Sequence, residues 1–449
     1  MKKTTNICLY FHVHQPDRLK KYSYFDVGNL HSYEDTEANR QIFLKVAEKC
    51  YLPTCNLLLQ LIDRYGGKFK VAFSLSGIFI DQCKRFSPET FALFKRLAAT
   101  GCVEFLNETY YHSLSFLFSP EEFKEQVRLH RELIANEFGY LAKTFRNTEL
   151  VYSNEIAKLA EEMGYTTILA EGTEKILDWR SPGFVYRPQG CKKIKLLLRN
   201  YRLTDDVAFR FSNRGWSEYP LFAEKYTSWL HALHDNTDII NLFMDFETFG
   251  EHHWEDTGIF AFLDKLPECI LNLPGYGFVT PSEASEKLAP VAELDVPYYV
   301  SWADVERDLT AWYGNDLQKD ALQAIYALEH DVKSLQDPAL LHTWRMLQVS
   351  DHFYYMCTKY SEDGDVHKYF SPYHNPYDAY INYQNILADF SDVIMRRKQD
   401  LTAKANALLS VNAKLPVHAV LEQKHRKKQH VSDSKTVSAK LYKLFTHQF

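Results

Sequence analysis

Up to about residue 285 the chain alternates short apolar runs with amphipathic stretches, and no other feature restricts its fold as much. The strand-like runs are Ile7–Val13, Phe69–Leu75, Val103–Leu106, Thr144–Asn147, Thr166–Ala170, Ile194–Asn200, Ile239–Met244 and Gly277–Val279. Between them lie helical patterns with clear ends. Ser119–Phe138 opens Ser-Pro-Glu-Glu, which supplies an N-cap, a proline at the first helical position and acids in the first turn. Ser153–Met163 is closed by Gly164. Strands alternating with helices predict a parallel sheet with helices outside it, an α/β class. Seven or eight such units predict a (β/α) barrel, incomplete and seven-stranded. After about residue 290 the pattern turns helical, at Asp304–Tyr313, Leu317–Leu328, Pro338–Lys359 and Pro376–Ala407. The expected organisation is a catalytic barrel over 1–290, a mostly helical module over 291–425 and a basic flexible tail over 426–449.

In a barrel of this kind, function collects where the strands end. Those ends are unusually polar here: His12-Val13-His14-Gln15-Pro16, Glu108-Thr109-Tyr110-Tyr111-His112, Glu149, Glu171, Asp205-Asp206, Asp245 and Glu247. Glu149 and Asp245 each follow an apolar run, so each is expected at the rim of the sheet, partly shielded from water. Two facing carboxyls are the minimum equipment for cleaving a glycosidic bond. His12 and His14 are one pleat repeat apart and share a side, and Glu247 shares the side of Asp245 if the strand runs on.

Composition excludes more than it selects. The net charge of −6 implies no global attraction to nucleic acid or an anionic membrane. The exception is the basic run Gln423–His430, the kind of run that is usually solvated. No apolar run approaches the roughly 18 residues of a membrane span. The Ile7–Val13 stretch after Met1-Lys2-Lys3 is short, contains His12 and precedes no small-residue cleavage site. The eight cysteines form no C-x-x-C pair and several sit in apolar runs, which is the usage of a reduced, cytoplasmic protein. Tyrosine (29), phenylalanine (30) and tryptophan (7) are abundant enough to furnish both a core and stacking faces for sugar rings.

Taken together, five separated segments resemble glycoside hydrolase family 57, an α-amylase-like retaining family. They are His14-Gln15-Pro16, Val103–Glu108, Phe145–Leu150, Asp245-Phe246-Glu247-Thr248-Phe249-Gly250 and Arg307–Asn315, in the family's order. The resemblance implies Glu149 as nucleophile and Asp245 as general acid/base. It implies substrate contacts from His12, His14, Glu104, Glu108, His112, Glu247, Trp302, Asp308 and Trp312. An α-glucan or maltooligosaccharide substrate follows, with no cofactor, no metal, and no nucleic-acid or membrane partner. For this role Asp245 should carry a raised pKa and Glu149 should stay ionised, helped by Arg146. The Asn-Thr-Glu-Leu and Asp-Leu-Thr-Ala-Trp forms resemble the α-amylase-like branch more than the glucanotransferase or branching-enzyme branches, so hydrolysis is expected ahead of transfer.

Two readings compete. A metal-dependent barrel glycosidase or deacetylase would draw ligands from His12, His14, Asp205, Asp206, Glu251, His252 and His253, but needs three or four of them to converge. A non-catalytic glycan-binding protein would explain the aromatics, but gives no reason to keep both carboxylates.

Overall fold

The computed structural model describes residues 3–359 and 371–413. The Gln423–His430 run and the 426–449 tail lie outside them. The chain forms two compact units, residues 1–389 and 390–449. The second is described only to Ala413, as part of the Pro376–Ala413 helix.

All eight expected strands are present: β1 Thr5–Val13, β2 Val71–Leu75, β3 Val103–Phe105, β4 Thr144–Phe145, β5 Thr167–Glu171, β6 Lys195–Arg199, β7 Ile239–Asp245 and β8 Tyr276–Phe278. Parallel ladders join β3, β2, β1 and β7 in that order, and β4, β5 and β6 in another sheet. A parallel bridge from Asn107 to Phe145 links β3 to β4. Between β6 and β7, Arg199 Nε donates to Phe243 O at 2.7 Å and Asn200 N to Asn241 O at 2.9 Å. Seven parallel strands thereby close a ring. The eighth, β8, stays outside the ring order. It pairs with Thr5–Ile7, below the Tyr10–Val13 stretch that β2 occupies on β1.

The period of two along β1 sorts its side chains. Ile7, Leu9, Phe11 and Val13 join the layer packed on the surrounding helices, with Phe43, Leu58, Phe79 and Leu263. Cys8 and Tyr10 enter the barrel interior with Ala72, Leu106, Leu169, Leu197 and Phe243. His12 continues that inward series at the mouth. The helices form where the sequence indicates. Ser119 Oγ caps Pro120–Phe138, which ends on left-handed Gly139, and Ser153 Oγ caps Asn154–Glu162. The Leu52–Arg64 helix shows what holds this layer. It buries Cys55, Leu58, Leu61 and Ile62 on one face, and truncating such a leucine to alanine costs about 2–5 kcal/mol.

Beyond β8 the described elements are mainly helices: Thr310–Tyr313, Asp316–Ala327, Glu329–Leu335, Pro338–Met346 and Ser350–Tyr354. Sequence periodicity predicts one helix over Pro338–Lys359, but the chain breaks at Leu347–Val349. The cause is tertiary. Val349 bridges to Ser113, Gln126 Nε2 donates to Gln348 Oε1 at 2.9 Å, and Ser350 N donates to His112 O at 3.0 Å. The break delivers Ser350 and Asp351 to the barrel mouth. No helix among the described residues is long and apolar enough to cross a membrane.

Candidate active site

Strand β4 is only two residues long, and the turn after it presents Glu149. The following helix is capped by Ser153, so Glu149 is not its cap. Glu149 and Leu150 both have left-handed backbone, at φ 57° and 53°, a conformation costing about 1–3 kcal/mol for each non-glycine residue. The surroundings enforce it. Leu150 N and Val151 N donate back to Asn147 O and Thr148 O, and Tyr152 pairs both ways with Val300. His112 is also left-handed, at φ 49°.

Three donors hold the Glu149 carboxylate. His112 Nε2 (3.2 Å) and Ser350 Oγ (3.1 Å) donate to Oε1, and Trp302 Nε1 (3.1 Å) donates to Oε2. Burial would push this carboxyl up, but the His112 hydrogen bond and charge, with the Arg146 charge, bring it below its ordinary value. Arg146 is wholly buried beneath the Trp302 ring, 4.7 Å from its centre. Its guanidinium has no hydrogen-bond acceptor among the described residues. Such a cation acts on the site as an unspent charge.

His112 has a second partner, as its Nδ1 donates to Glu108 Oε2 at 2.9 Å. Burial opposes a charge on this ring, but the hydrogen bonds and charges of Glu108 and Glu149 outweigh it and hold the pKa at about 9. Glu108 also lies 3.8 Å from His12 Nε2, and His12 Nδ1 donates to Asp245 Oδ1 at 3.2 Å. The two carboxyls therefore terminate one line of contacts, Glu149–His112–Glu108–His12–Asp245. The rings of His12 and His112 stack at 4.9 Å, and those of His14 and His112 at 3.9 Å.

Asp245 ends β7 and faces inward with Asn241 and Phe243. Its pKa is shifted down, not up as the apolar run suggests. Burial raises it, but the hydrogen bond and charge of His12, with His252 and Arg146, pull it further the other way. Its side chain is 40% exposed against 17% for Glu149, so solvent screens its pairing more. The raised carboxyl is Glu247. Burial, then the Asp245 charge, lifts it to about 8. Strand β7 does not run on to carry Glu247 beside Asp245. A 3-10 turn over Phe246–Thr248 sends it behind the barrel wall, where Tyr51 OH donates to it at 2.5 Å.

The other expected residues divide. Burial and the His112 charge hold His14 neutral, with a pKa of about 4. Its Nε2 donates to Asp351 Oδ2 at 2.9 Å and its Nδ1 accepts from Ser76 Oγ at 2.7 Å, so no ring nitrogen is left for a sugar hydroxyl. The structure does not bring three residues to the cluster. Glu104 faces inward but at the barrel floor, where Thr144 and Ser282 occupy both oxygens. Asp308 accepts from the backbone and hydroxyl of Thr310. Trp312 is buried at 1% exposure against Tyr354. The fifth segment contributes instead through Arg307, which donates to Trp302 O and pairs with Glu171 and Asp205. Sequence reasoning missed Ser350 and Asp351, which carry no local signal.

Among the described residues, one group could hold a metal ion: His12, Glu108 and His112, with ligand atoms within 4.8 Å of one another. An ion there would have to displace the proton shared by His112 and Glu108. Of the seven ligands the metal reading named, only His12 belongs to this group. Asp205 pairs with two arginines, Asp206 with Arg210, Glu251 with Lys45, and His253 with Ser212.

Comparison with known proteins adds sequence and fold relatives. The model of glycosyl hydrolase family 57 matches residues 8–297. A Methanocaldococcus jannaschii protein provisionally named an alpha-amylase is 44% identical over 408 residues, covering 88% of this chain and 85% of its own. A family 57 branching enzyme from Thermococcus kodakaraensis superposes with a TM-score of 0.65 at 14% identity, covering 88% of this chain and 90% of its own. A 4-alpha-glucanotransferase from Thermococcus litoralis gives 0.61 at 16% identity over 78% of this chain. This chain spans 56% of the length of that enzyme.

Proposed function

The chain belongs to glycosyl hydrolase family 57 and is a glycoside hydrolase, and from that premise we propose that it cleaves α-1,4-glucosidic bonds of starch, glycogen or maltooligosaccharides with retention of configuration. Glu149 is the nucleophile and Asp245 the general acid/base. The observation that carries this reading is the contrast between the carboxyls ending one contact line. Among the described residues, Glu149 is fixed and ionised by three donors, while Asp245 has a single 3.2 Å partner and an open side.

Glu149 attacks the anomeric carbon while Asp245 protonates the departing O4. The bond to the leaving sugar breaks and a glycosyl ester forms on Glu149. Asp245, now ionised, takes a proton from water, and that water restores the α-anomer. Asp245 acquires its starting proton when substrate binds. A glucan seated against its exposed side expels water, which favours the neutral form, and the charge on Glu149 adds to this. Retention requires the two carboxyls to stand about 5–5.5 Å apart in the working complex.

The test is maltoheptaose digestion followed by NMR. The α-anomer appearing first is the expected result, and the β-anomer appearing first contradicts retention on an α-glucan. Products longer than seven glucose units identify a 4-α-glucanotransferase instead of a hydrolase.

A further inference from the structure

The matched family stretch ends at residue 297, yet the nucleophile is held partly from beyond it. Ser350 Oγ donates to Glu149 Oε1, and Ser350 N donates to His112 O. The next residue, Asp351, accepts a hydrogen bond from Nε2 of His14, whose ring lies 3.9 Å from that of His112. We infer that Ser350 and Asp351 are positioning residues for the Glu149 nucleophile, the first acting on the carboxylate itself and the second on the ring stack behind it. This rests on the reading of Glu149 as nucleophile.

The geometry leaves each group little freedom. Oε1 of Glu149 receives two donors from two separate segments, His112 and Ser350, so neither alone sets its direction. Ser350 is completely buried and is clamped on its N-terminal side by the Val349–Ser113 bridge. Asp351 decides the tautomer of His14. With Nε2–H committed to Asp351, Nδ1 must accept, and Ser76 Oγ supplies that proton. Ser76 Oγ in turn accepts from Phe79 N at 3.3 Å, capping the Gly77–Phe86 helix. A neutral His14 can stack on the His112 cation without repelling it. His112 then keeps the proton it presents to Glu149.

The charged and titratable groups around Glu149 are Glu108 and His112 from the loop after β3, Arg146 from the turn after β4, His12 from β1 and His14 from just past its end. Asp351 completes them from the helical segment, with Asp245 at the far end of the contact line. Removing a hydrogen-bond donor from a carboxylate raises its pKa, and removing a neighbouring negative charge lowers it. The two residues should therefore move the acidic limb of kcat/KM in opposite directions, which a general loosening of the fold would not do.

The experiment compares maltoheptaose turnover and pH profiles of Ser350→Ala, Ser350→Thr, Asp351→Asn and Glu149→Gln in the full chain. Ser350→Ala should lower kcat/KM about 10- to 100-fold and move the acidic limb to higher pH. Ser350→Thr, which keeps the hydroxyl, should recover most of the rate. Asp351→Asn, which keeps an acceptor for His14, should move the limb to lower pH. If Ser350→Ala does not fold, Ser350→Cys takes its place with the same expectations. Wild-type rates and limbs in both variants, or limbs moving the same way, would overturn the inference while Glu149→Gln is inactive. An active Glu149→Gln would instead overturn the functional reading beneath it.

Discussion

The two ends of the contact line from Glu149 to Asp245 are built differently. At the Glu149 end three donors converge from the β3 loop, the Trp302 loop and the 350–354 helix onto a carboxylate that is 17% exposed and on a strained backbone. At the Asp245 end one histidine, among the described residues, holds a carboxylate that is 40% exposed at the end of a regular strand. Under the proposed roles, the group that must stay charged and aimed is over-determined, whereas the group that must gain and lose a proton is left with one weak partner and a free side. The same electrostatic rules serve both ends, and the number of donors decides which role each can play.

The largest effect expected is at the over-determined end. Glu149→Gln should lower kcat on maltoheptaose by at least about a thousandfold, since the proposed mechanism forms its glycosyl ester on Glu149. Asp245→Asn should cost about 10²- to 10⁴-fold on the same substrate, the usual range for a lost general acid. The two variants should also differ in kind. With an aryl α-maltooligoside whose phenol needs no protonation, Asp245→Asn should recover much of its first step, and Glu149→Gln none. Azide should rescue Asp245→Asn to give an α-glycosyl azide. Equal losses on both substrates would erase the contrast between the ends.

The sequence reveals the Asp245 end better than the Glu149 end. Period-two alternation correctly turns His12 and Asp245 inward, because each lies in a regular strand, but it leaves the direction of Arg146 open, just past the two residues of β4. It gives the face but not the height. Glu104 lies within β3 at the floor, and Glu108 lies in the loop past its end at the mouth. The direction of the Asp245 shift also escapes the sequence, because the decisive neighbour, His12, lies 233 residues away across the β1–β7 ladder. Ser350 and Asp351 are hidden further. They sit in what reads as an uninterrupted helix, and contacts of Gln348, Val349 and Ser350 with Gln126, Ser113 and His112 break it at that point. Seven closing strands were legible because each is a self-contained apolar run. The helical contribution was not, because it exists only through contacts made across some 200 residues.

A smaller effect sharpens the account of the Glu149 end. Trp302 supplies both a donor to Oε2 and a ring face for Arg146. Trp302→Phe removes the first and keeps an aromatic face. A drop in kcat/KM of about tenfold is expected, the worth of one hydrogen bond to a charged group. Trp302→Ala should cost more, because it also uncovers a buried, unpaired guanidinium. Equal rates for the phenylalanine and alanine variants would mean that Arg146 does not need the ring.

The smallest change in rate is expected at Glu247, which tests the Asp245 end from behind. Burial and the Asp245 charge hold this carboxyl at about 8 in the folded protein, against an ordinary value of 4.5. The native state therefore binds one more proton than the unfolded chain between those two values, and stability must fall as pH rises through that window. Its contribution is complete below pH about 4.5 and gone above about 8, a change on the order of 5 kcal/mol at most. Glu247→Gln keeps an oxygen for the Tyr51 hydroxyl and has no charge to acquire. Its urea midpoint should fall less steeply than that of the wild type between pH 5 and 8, while kcat at pH 5 changes less than about threefold, because both proteins are then neutral at this position. A wild-type slope in the variant would show that Glu247 is already ionised at neutral pH. The Asp245 end would then hold two negative charges with His12 as their neighbour, and its readiness to take up a proton would have to come from that repulsion rather than from an open side.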